Sequence, residues 1–206
     1  MIAVVDYGVG NLHSIRSALL NIGADAIITG DKAVLESASH IILPGVGAFG
    51  DAMQKLVDAN LDECLCSISK TGKPLLGICL GMQLLFEESA EYGKHRGLGL
   101  IKGRIEPLKE QLPLGAKVPH MGWNSLQFLK EDDELLRNIH QGDAVYYVHS
   151  FYATDAENSL VATSDYLGVA VPGIVRNGNV IGMQFHPEKS GNVGLALLRN
   201  FVHMMP

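Results

Sequence analysis

The chain has 206 residues, of which 47% are hydrophobic and 18% charged, and its formal net charge is -6. This composition is typical of one globular domain, here spanning residues 1–206, that buries roughly 70% of the surface exposed by its unfolded chain. The acidic balance, without clusters of Lys and Arg, argues against a nucleic-acid-binding protein. No apolar run approaches the roughly 20 residues that cross a bilayer, so we expect a cytoplasmic protein.

Short apolar runs alternate with longer amphipathic segments in the first half of the chain. The predicted strands cover residues 2–5, 26–28, 41–43 and 75–78. Runs of Ile, Val and Leu are typical of parallel strands that are buried on both faces. Between the first two runs, Leu12, Ile15 and Leu19 recur at helical spacing, which predicts a crossover helix. The sequence therefore predicts an α/β fold with a central, mostly parallel sheet flanked by helices.

Cys79 follows the last of these predicted strands, in the segment Gly77-Ile78-Cys79-Leu80-Gly81, and opens a predicted helix. A strand, a tight turn and a helix around one residue are typical of a nucleophile elbow. Small residues beside the turn let the backbone bend and expose the thiol, and the positive end of the helix favours thiolate. Most cysteines are small buried core residues, and we interpret Cys64 and Cys66 in that way. The glycine-framed turn favours Cys79 as a nucleophile.

A glycine-rich segment, Pro44-Gly45-Val46-Gly47-Ala48-Phe49-Gly50, follows the predicted strand at residues 41–43. Its glycines let backbone N–H groups turn toward a negative charge. We therefore predict an oxyanion hole, with the N–H of Leu80, the residue after Cys79, as its second donor. A phosphate-binding loop is the alternative, but the Walker pattern is absent.

The pattern of residues changes after Gly97, where short predicted strands are separated by Gly, Pro and Asn. These strands cover residues 144–148, 160–163, 173–176 and 180–185, and a final helix is predicted over residues 193–204. We expect this part of the chain to extend the parallel sheet with antiparallel strands.

His186 ends one of these predicted strands, and Glu188 follows it by two residues, beyond Pro187. Imidazole is the side chain best suited to accept and return a proton near neutrality. In an extended segment, positions two apart project to the same side, so Glu188 is placed to orient the histidine. A solvated loop is the alternative interpretation of this short pattern. Two other histidines, His120 and His149, lie in local sequences typical of a pocket wall.

Taken together, three segments resemble the triad-type, or class I, glutamine amidotransferases. They are Pro44-Gly45-Val46-Gly47, Gly77-Ile78-Cys79-Leu80-Gly81-Met82-Gln83 and Phe185-His186-Pro187-Glu188, in the order of that family. Residues 5–12, 119–124 and 148–152 resemble the branch of this family whose glutaminase subunits serve a cyclase in histidine biosynthesis. The resemblance covers nearly the whole chain.

The resemblance implies a role for specific residues. The catalytic triad would be Cys79, His186 and Glu188, and the oxyanion hole would comprise Val46, Gly47 and Leu80. Glutamine would be bound by Gly45, Gln83, Ser150 and Phe151. The residues facing a (β/α)8-barrel cyclase, the partner in a heterodimer that receives ammonia, would be Asn11, Trp123 and Lys189. This chemistry requires no metal and no organic cofactor.

Three other interpretations of the sequence remain open. A paralogous glutaminase would supply ammonia to a different synthase. A cysteine hydrolase of the α/β type would use the same elbow, but such enzymes usually place the acid between nucleophile and histidine, whereas here Glu188 follows His186. A catalytically inactive subunit that regulates a partner enzyme is the third.

Overall fold

The computed structural model describes residues 1–205, which form fourteen strands and six α-helices. The strands are β1 Ile2–Val5, β2 Ala26–Thr29, β3 His40–Leu43, β4 Leu75–Ile78, β5 Glu88–Ser89, β6 His95–Arg96, β7 Arg104–Pro107, β8 His120–Ser125, β9 Gln127–Phe128, β10 Ala144–His149, β11 Phe151–Thr154, β12 Leu160–Tyr166, β13 Val169–Asn177 and β14 Val180–Met183. The helices are α1 Leu12–Asn21, α2 Lys32–Ser37, α3 Phe49–Asp58, α4 Leu61–Ser69, α5 Leu80–Leu84 and α6 Gly191–Val202. Short 3-10 helices cover Leu108–Gln111, Glu134–Leu136, Glu157–Ser159 and Pro187–Lys189.

The main sheet has eight strands in the order β2-β1-β3-β4-β14-β13-β12-β9. The five strands from β2 to β14 in this order are parallel to one another. From β14 onward, β13, β12 and β9 continue the sheet in antiparallel pairs. The predicted α/β architecture, a parallel core with an antiparallel extension, is therefore confirmed.

Side chains of the parallel strands alternate between two hydrophobic clusters, as the two-residue period of a strand requires. In β1, Ile2 and Val4 belong to one cluster together with residues of α1 and α6. Ala3 and Val5 belong to the other cluster, with residues of α2, α3 and α4. Helices thus cover both faces of the sheet. Within the described part of the chain, no helix combines the length and apolar character needed to span a membrane.

Two smaller sheets were not predicted as separate units. One pairs β10 with β8, and the other has the order β11-β7-β5-β6. We expected residues 144–148 to extend the main sheet, whereas β10 lies outside that sheet and pairs antiparallel with β8. The strand predicted over residues 180–185 ends earlier, at Met183. Its continuation turns away so that the backbone N–H of His186 donates to Tyr146 O of β10 at 2.9 Å.

Candidate active site

Cys79 occupies the turn between β4 and α5, with backbone angles φ 55° and ψ -114°. A positive φ is uncommon for a residue with a side chain and marks a strained backbone. The turn is held because the N–H of Cys79 donates to Met183 O of β14 at 2.8 Å. Close approach explains the neighbouring glycine, since a Cβ on Gly81 would overlap Leu43 O. Cys79 is only 8% exposed, so its thiol lies inside a cavity and not on an open sheet edge as expected.

The His186 imidazole is held by a carboxylate on one side. Its Nδ1–H donates to Glu188 Oε1 at 2.8 Å, and both side chains are almost completely buried. Burial lowers the pKa of His186, but interactions with Cys79 and Glu188 outweigh this effect and raise the pKa to about 9. Because Nδ1 is engaged by Glu188, Nε2 is the nitrogen available to Cys79. This arrangement favours the protonated form of the imidazole.

Two neighbouring parallel strands bring these residues together. Met183 of β14 is in register with Ile78 of β4, so Cys79 and the segment leading to His186 leave the sheet at the same edge. Ser190 Oγ then donates to His186 O at 2.7 Å and accepts from Tyr146 N–H at 2.9 Å. The histidine backbone is therefore fixed from two directions.

Glu188 reaches His186 by a different route from the one the sequence predicted. We expected an extended segment, but Pro187–Lys189 forms a 3-10 turn, and the turn folds Glu188 back onto the imidazole. Its second oxygen, Oε2, is buried and has no hydrogen-bond partner among residues 1–205. A buried carboxylate oxygen without a donor is unusual in proteins.

A cavity of about 420 Å³ opens above Cys79. The residues that the sequence predicted and that line this cavity are Val46, Gly47, Cys79, Leu80, Gln83, Ser150, Phe151 and His186. Gly45 instead lies behind the wall, where a Cβ would approach Gly81 N to 2.6 Å. Gly47 has φ 97°, a conformation that favours glycine, in the loop beside the thiol. The structure thus brings the elbow, the glycine loop and the histidine to one cavity.

The side-chain amide of Gln83 is oriented by its hydrogen bonds. Its Nε2 donates to Phe151 O and to Gln184 Oε1, each at 3.0 Å. Both amide hydrogens are therefore engaged inside the protein, which leaves the Gln83 carbonyl oxygen to face the cavity. A ligand that contacts this wall therefore meets a hydrogen-bond acceptor, the side-chain oxygen of Gln83.

Glu91 and Tyr92 line the cavity and were not predicted from the sequence, whereas Pro119 and Val148 line it as part of the segments around His120 and His149 that were expected to form a pocket wall. Glu91 is the most informative because it is a largely buried carboxylate. Its Oε2 accepts the Phe49 N–H at 2.6 Å, and burial raises its pKa. No motif marks Glu91 in the sequence, since it lies in a loop and its partner is a backbone group. His149, suggested by its local sequence, does line the cavity, and His120 lies behind it.

The three predicted partner-facing residues lie on segments that adjoin one another. Trp123 is 60% exposed, and its ring lies 3.9 Å from the position that a Cβ on Gly191 would take. Lys189 is exposed in the 3-10 turn that precedes Gly191. Asn11 directly precedes α1, which packs against this turn, and its Oδ1 accepts from Ser14 Oγ at 2.8 Å.

Comparison with known proteins gives a consistent assignment. Residues 3–205 match the family model of class I glutamine amidotransferases. The chain is 49% identical over 201 residues to the imidazole glycerol phosphate synthase subunit HisH of Listeria monocytogenes serotype 4b, covering 98% of this chain and 94% of that protein. It is 48% identical over 204 residues to the protein of the same name from Geobacillus kaustophilus, with coverages of 98% and 96%.

Solved structures share the fold at much lower identity. A crystal structure of a glutamine amidotransferase superimposes with a TM-score of 0.75 at 20% identity, covering 98% of this chain and 97% of that one. The structure of PurLQS from Thermotoga maritima gives a TM-score of 0.73 at 22% identity, with coverages of 98% and 96%.

Proposed function

This chain belongs to the class I glutamine amidotransferase family, and we propose that it is the glutaminase subunit of an imidazole glycerol phosphate synthase in histidine biosynthesis. The support is identity near 49% to such subunits over 98% of the chain. The observation that carries the chemistry is that His186 shares the cavity with Cys79 and donates its Nδ1–H to Glu188. Interactions with both residues raise the pKa of His186 to about 9 despite burial. The relatives give no support to a paralogous glutaminase serving a different synthase.

The proposed reaction begins when the Cys79 thiolate attacks the side-chain amide carbon of glutamine. Backbone N–H groups of Leu80 and of the Val46–Gly47 loop stabilise the tetrahedral oxyanion. Protonated His186 then gives its proton to the departing ammonia, which leaves a γ-glutamyl thioester on Cys79. Neutral His186 next removes a proton from water, the thioester is hydrolysed, and glutamate leaves. Glu188 keeps the imidazole in the orientation needed for both steps.

Glutamine is an amino acid as well as an amide, so the cavity must also bind its charged α-amino and α-carboxyl groups. Glu91 is the carboxylate that faces this cavity without belonging to the triad, and it suits the α-ammonium group. The carbonyl oxygen of Gln83 and the segment containing Ser150 and Phe151 form the adjoining wall. Gly45 acts indirectly in this proposal, by supporting the elbow from behind.

Ammonia is proposed to pass to a cyclase subunit with a (β/α)8-barrel fold, in a cytoplasmic heterodimer. The cyclase uses it to form imidazole glycerol phosphate and an aminoimidazole carboxamide ribotide. The surface that carries Asn11, Trp123 and Lys189 adjoins the 3-10 turn that contains Glu188, which supports this surface as the contact with the cyclase. The family match over residues 3–205 supports one glutamine amidotransferase domain in the whole chain.

The decisive experiment measures glutamate release from glutamine by the purified chain, alone and with the cyclase plus its substrate. We expect Cys79→Ala to lower the rate by roughly a thousandfold or more, because the covalent step is lost. Cys66→Ala is the matched control, since Cys66 lies outside the cavity with its Sγ 3.7 Å from Leu98 O. Glutamate release that survives Cys79→Ala would reject the nucleophile, and release indifferent to the cyclase would reject the partner.

A further inference from the structure

Two buried histidines behind the cavity wall are joined in a chain of hydrogen bonds. His149 Nδ1 lies 2.9 Å from Phe151 O, and His149 Nε2 lies 2.9 Å from His120 Nδ1. His120 Nε2 in turn lies 3.2 Å from Asn124 Nδ2. The proposed reaction uses none of these imidazoles. We therefore asked what this series of hydrogen bonds contributes to the cavity wall.

The atoms at its two ends fix the position of every proton in this chain. A carbonyl oxygen only accepts, so His149 Nδ1 carries the hydrogen that binds Phe151 O. Neutral His149 then offers Nε2 as an acceptor, and His120 must donate from Nδ1. The free Nε2 of His120 accepts from the amide nitrogen of Asn124. All three bonds run in one direction and require both rings to be neutral.

The surroundings of Asn124 and His120 agree with this assignment. Asn124 Nδ2 also donates to Asp165 O at 2.7 Å, and its Oδ1 accepts from Ser125 N–H at 2.8 Å, which settles the orientation of the amide. The His120 ring is stacked between Tyr147 and Tyr166, at centroid distances of 4.6 and 4.1 Å. Burial lowers the pKa of His120 to about 4, so its neutral form is maintained.

Phe151 O is the final acceptor of this series of hydrogen bonds, and Phe151 belongs to the cavity wall that is proposed to bind glutamine. Phe151 O accepts from His149 Nδ1 and also from Gln83 Nε2, so both of its lone pairs are used within the protein. This carbonyl is therefore not free to bind a substrate. It instead holds Gln83 in the orientation that directs the Gln83 carbonyl oxygen into the cavity.

We propose that His149 is a positioning residue for glutamine binding, held in its Nδ1–H tautomer by His120 and Asn124 so that it fixes Phe151 O and, through it, Gln83. This inference rests on the proposed glutaminase function. It assigns a role to His149 that is separate from proton transfer at Cys79. Loss of the Nδ1–H donor should therefore weaken binding of glutamine more than it slows the chemical step.

The test compares two substitutions of His149 in the complete complex with the cyclase and its substrate. His149→Leu removes the donor, and we expect KM for glutamine to rise roughly tenfold to a hundredfold while kcat changes less than about threefold. His149→Asn places an amide N–H close to the position of Nδ1, and we expect it to restore most of the native KM. Equal losses in both variants, or an unchanged KM in His149→Leu, would overturn the proposal.

A second measurement does not depend on the folding of the variants. ¹⁵N NMR of the native chain should show both rings neutral and protonated on Nδ1 at neutral pH, and protonation of His149 on Nε2 would reject the assignment.

His120→Leu should also raise KM, because His149 is then no longer held in that tautomer. Absence of glutaminase activity in the native complex would reject the proposed function, whereas an active complex with unaltered KM in His120→Leu would reject this inference alone.

Discussion

His186 and His149 line the same cavity and both are buried, yet their pKa values shift in opposite directions. Cys79 and Glu188 raise the pKa of His186 to about 9 against the effect of burial. For His149, burial and the neighbouring His120 lower the pKa to about 3. Although the two rings are similarly buried, the imidazole beside Cys79 and Glu188 is charged and the imidazole beside Phe151 O is neutral.

The difference shows that hydrogen-bond partners, more than burial, decide what a histidine does in this site. Glu188 Oε1 accepts a hydrogen bond from His186 Nδ1–H, and the carboxylate stabilises the imidazolium. The partner of His149 Nδ1 is a neutral carbonyl, which accepts a hydrogen bond without compensating a buried charge. One ring is thereby suited to proton transfer and the other to fixed geometry.

The largest expected effect comes from removing the carboxylate that distinguishes His186. In Glu188→Gln, burial acts on His186 with only Cys79 opposing it, so we expect its pKa to fall below about 9. We expect kcat to fall by roughly a thousandfold to ten-thousandfold, because the imidazole loses its orientation and charge stabilisation. Histidine NMR titration and glutamate release measure the two effects. The exposed Glu131→Gln is the control, and an unaltered His186 pKa would contradict the comparison.

A smaller effect is expected from a carboxylate that shares the cavity with both histidines but contacts neither. Glu91→Gln keeps an oxygen for the Phe49 N–H while removing the charge proposed for the α-ammonium of glutamine. We expect KM to rise roughly tenfold to a hundredfold, since a charged hydrogen bond is lost. Steady-state kinetics, with exposed Glu110→Gln as control, provides the measurement. A change in kcat without a change in KM would refute the binding role.

The smallest expected effect concerns stability in acid. The histidines on the two sides of the cavity contribute to the free energy of unfolding with opposite dependence on pH. The pKa values of His149 and His120 are lowered on folding, so the unfolded chain binds protons first as pH falls below 6.5. At about pH 5, each histidine should reduce the free energy of unfolding by ~2 kcal/mol relative to neutral pH. The contribution of His186, whose pKa is raised, is instead present below its ordinary pKa of 6.5 and lost as pH rises through about 9.

Urea unfolding at both pH values tests the prediction for acid. His149→Asn cannot titrate, so it should show a smaller loss of stability between neutral pH and about pH 5 than the native chain. If His149→Asn showed the same loss as the native chain, the lowered pKa of His149 would be rejected.

The parallel half of the fold follows closely from sequence, because its strands are buried on both faces and read as unbroken apolar runs. The runs predicted at 2–5, 26–28, 41–43 and 75–78 agree with β1 to β4 to within one residue at either end. The small sheets were missed because β5 and β6 have only two residues each, too few for any period to show. Strand β10 does alternate, but alternation does not reveal which sheet it joins.

In the candidate site, too, local sequence patterns were predictable and contacts between distant segments were not. The elbow at Cys79 and the His186–Glu188 pair are local patterns, and the resemblance they suggested to class I glutamine amidotransferases is confirmed by the match over residues 3–205. Glu91 and the His120–His149 contact depend on loops and on strand register, which a single sequence does not encode in any short motif. Residues whose partners are backbone groups or distant side chains were therefore identified only from the structure.

The pairing of β4 with β14 has a consequence for how the protein is made. These strands come from the first half and the last part of the chain, and contacts between distant segments form slowly during folding. During synthesis the segment with Cys79 emerges well before the one with His186, and N-terminal regions fold first. In the proposed mechanism the thiol therefore has no base until the chain is nearly complete, and we expect a truncated or half-folded product to be unable to hydrolyse glutamine.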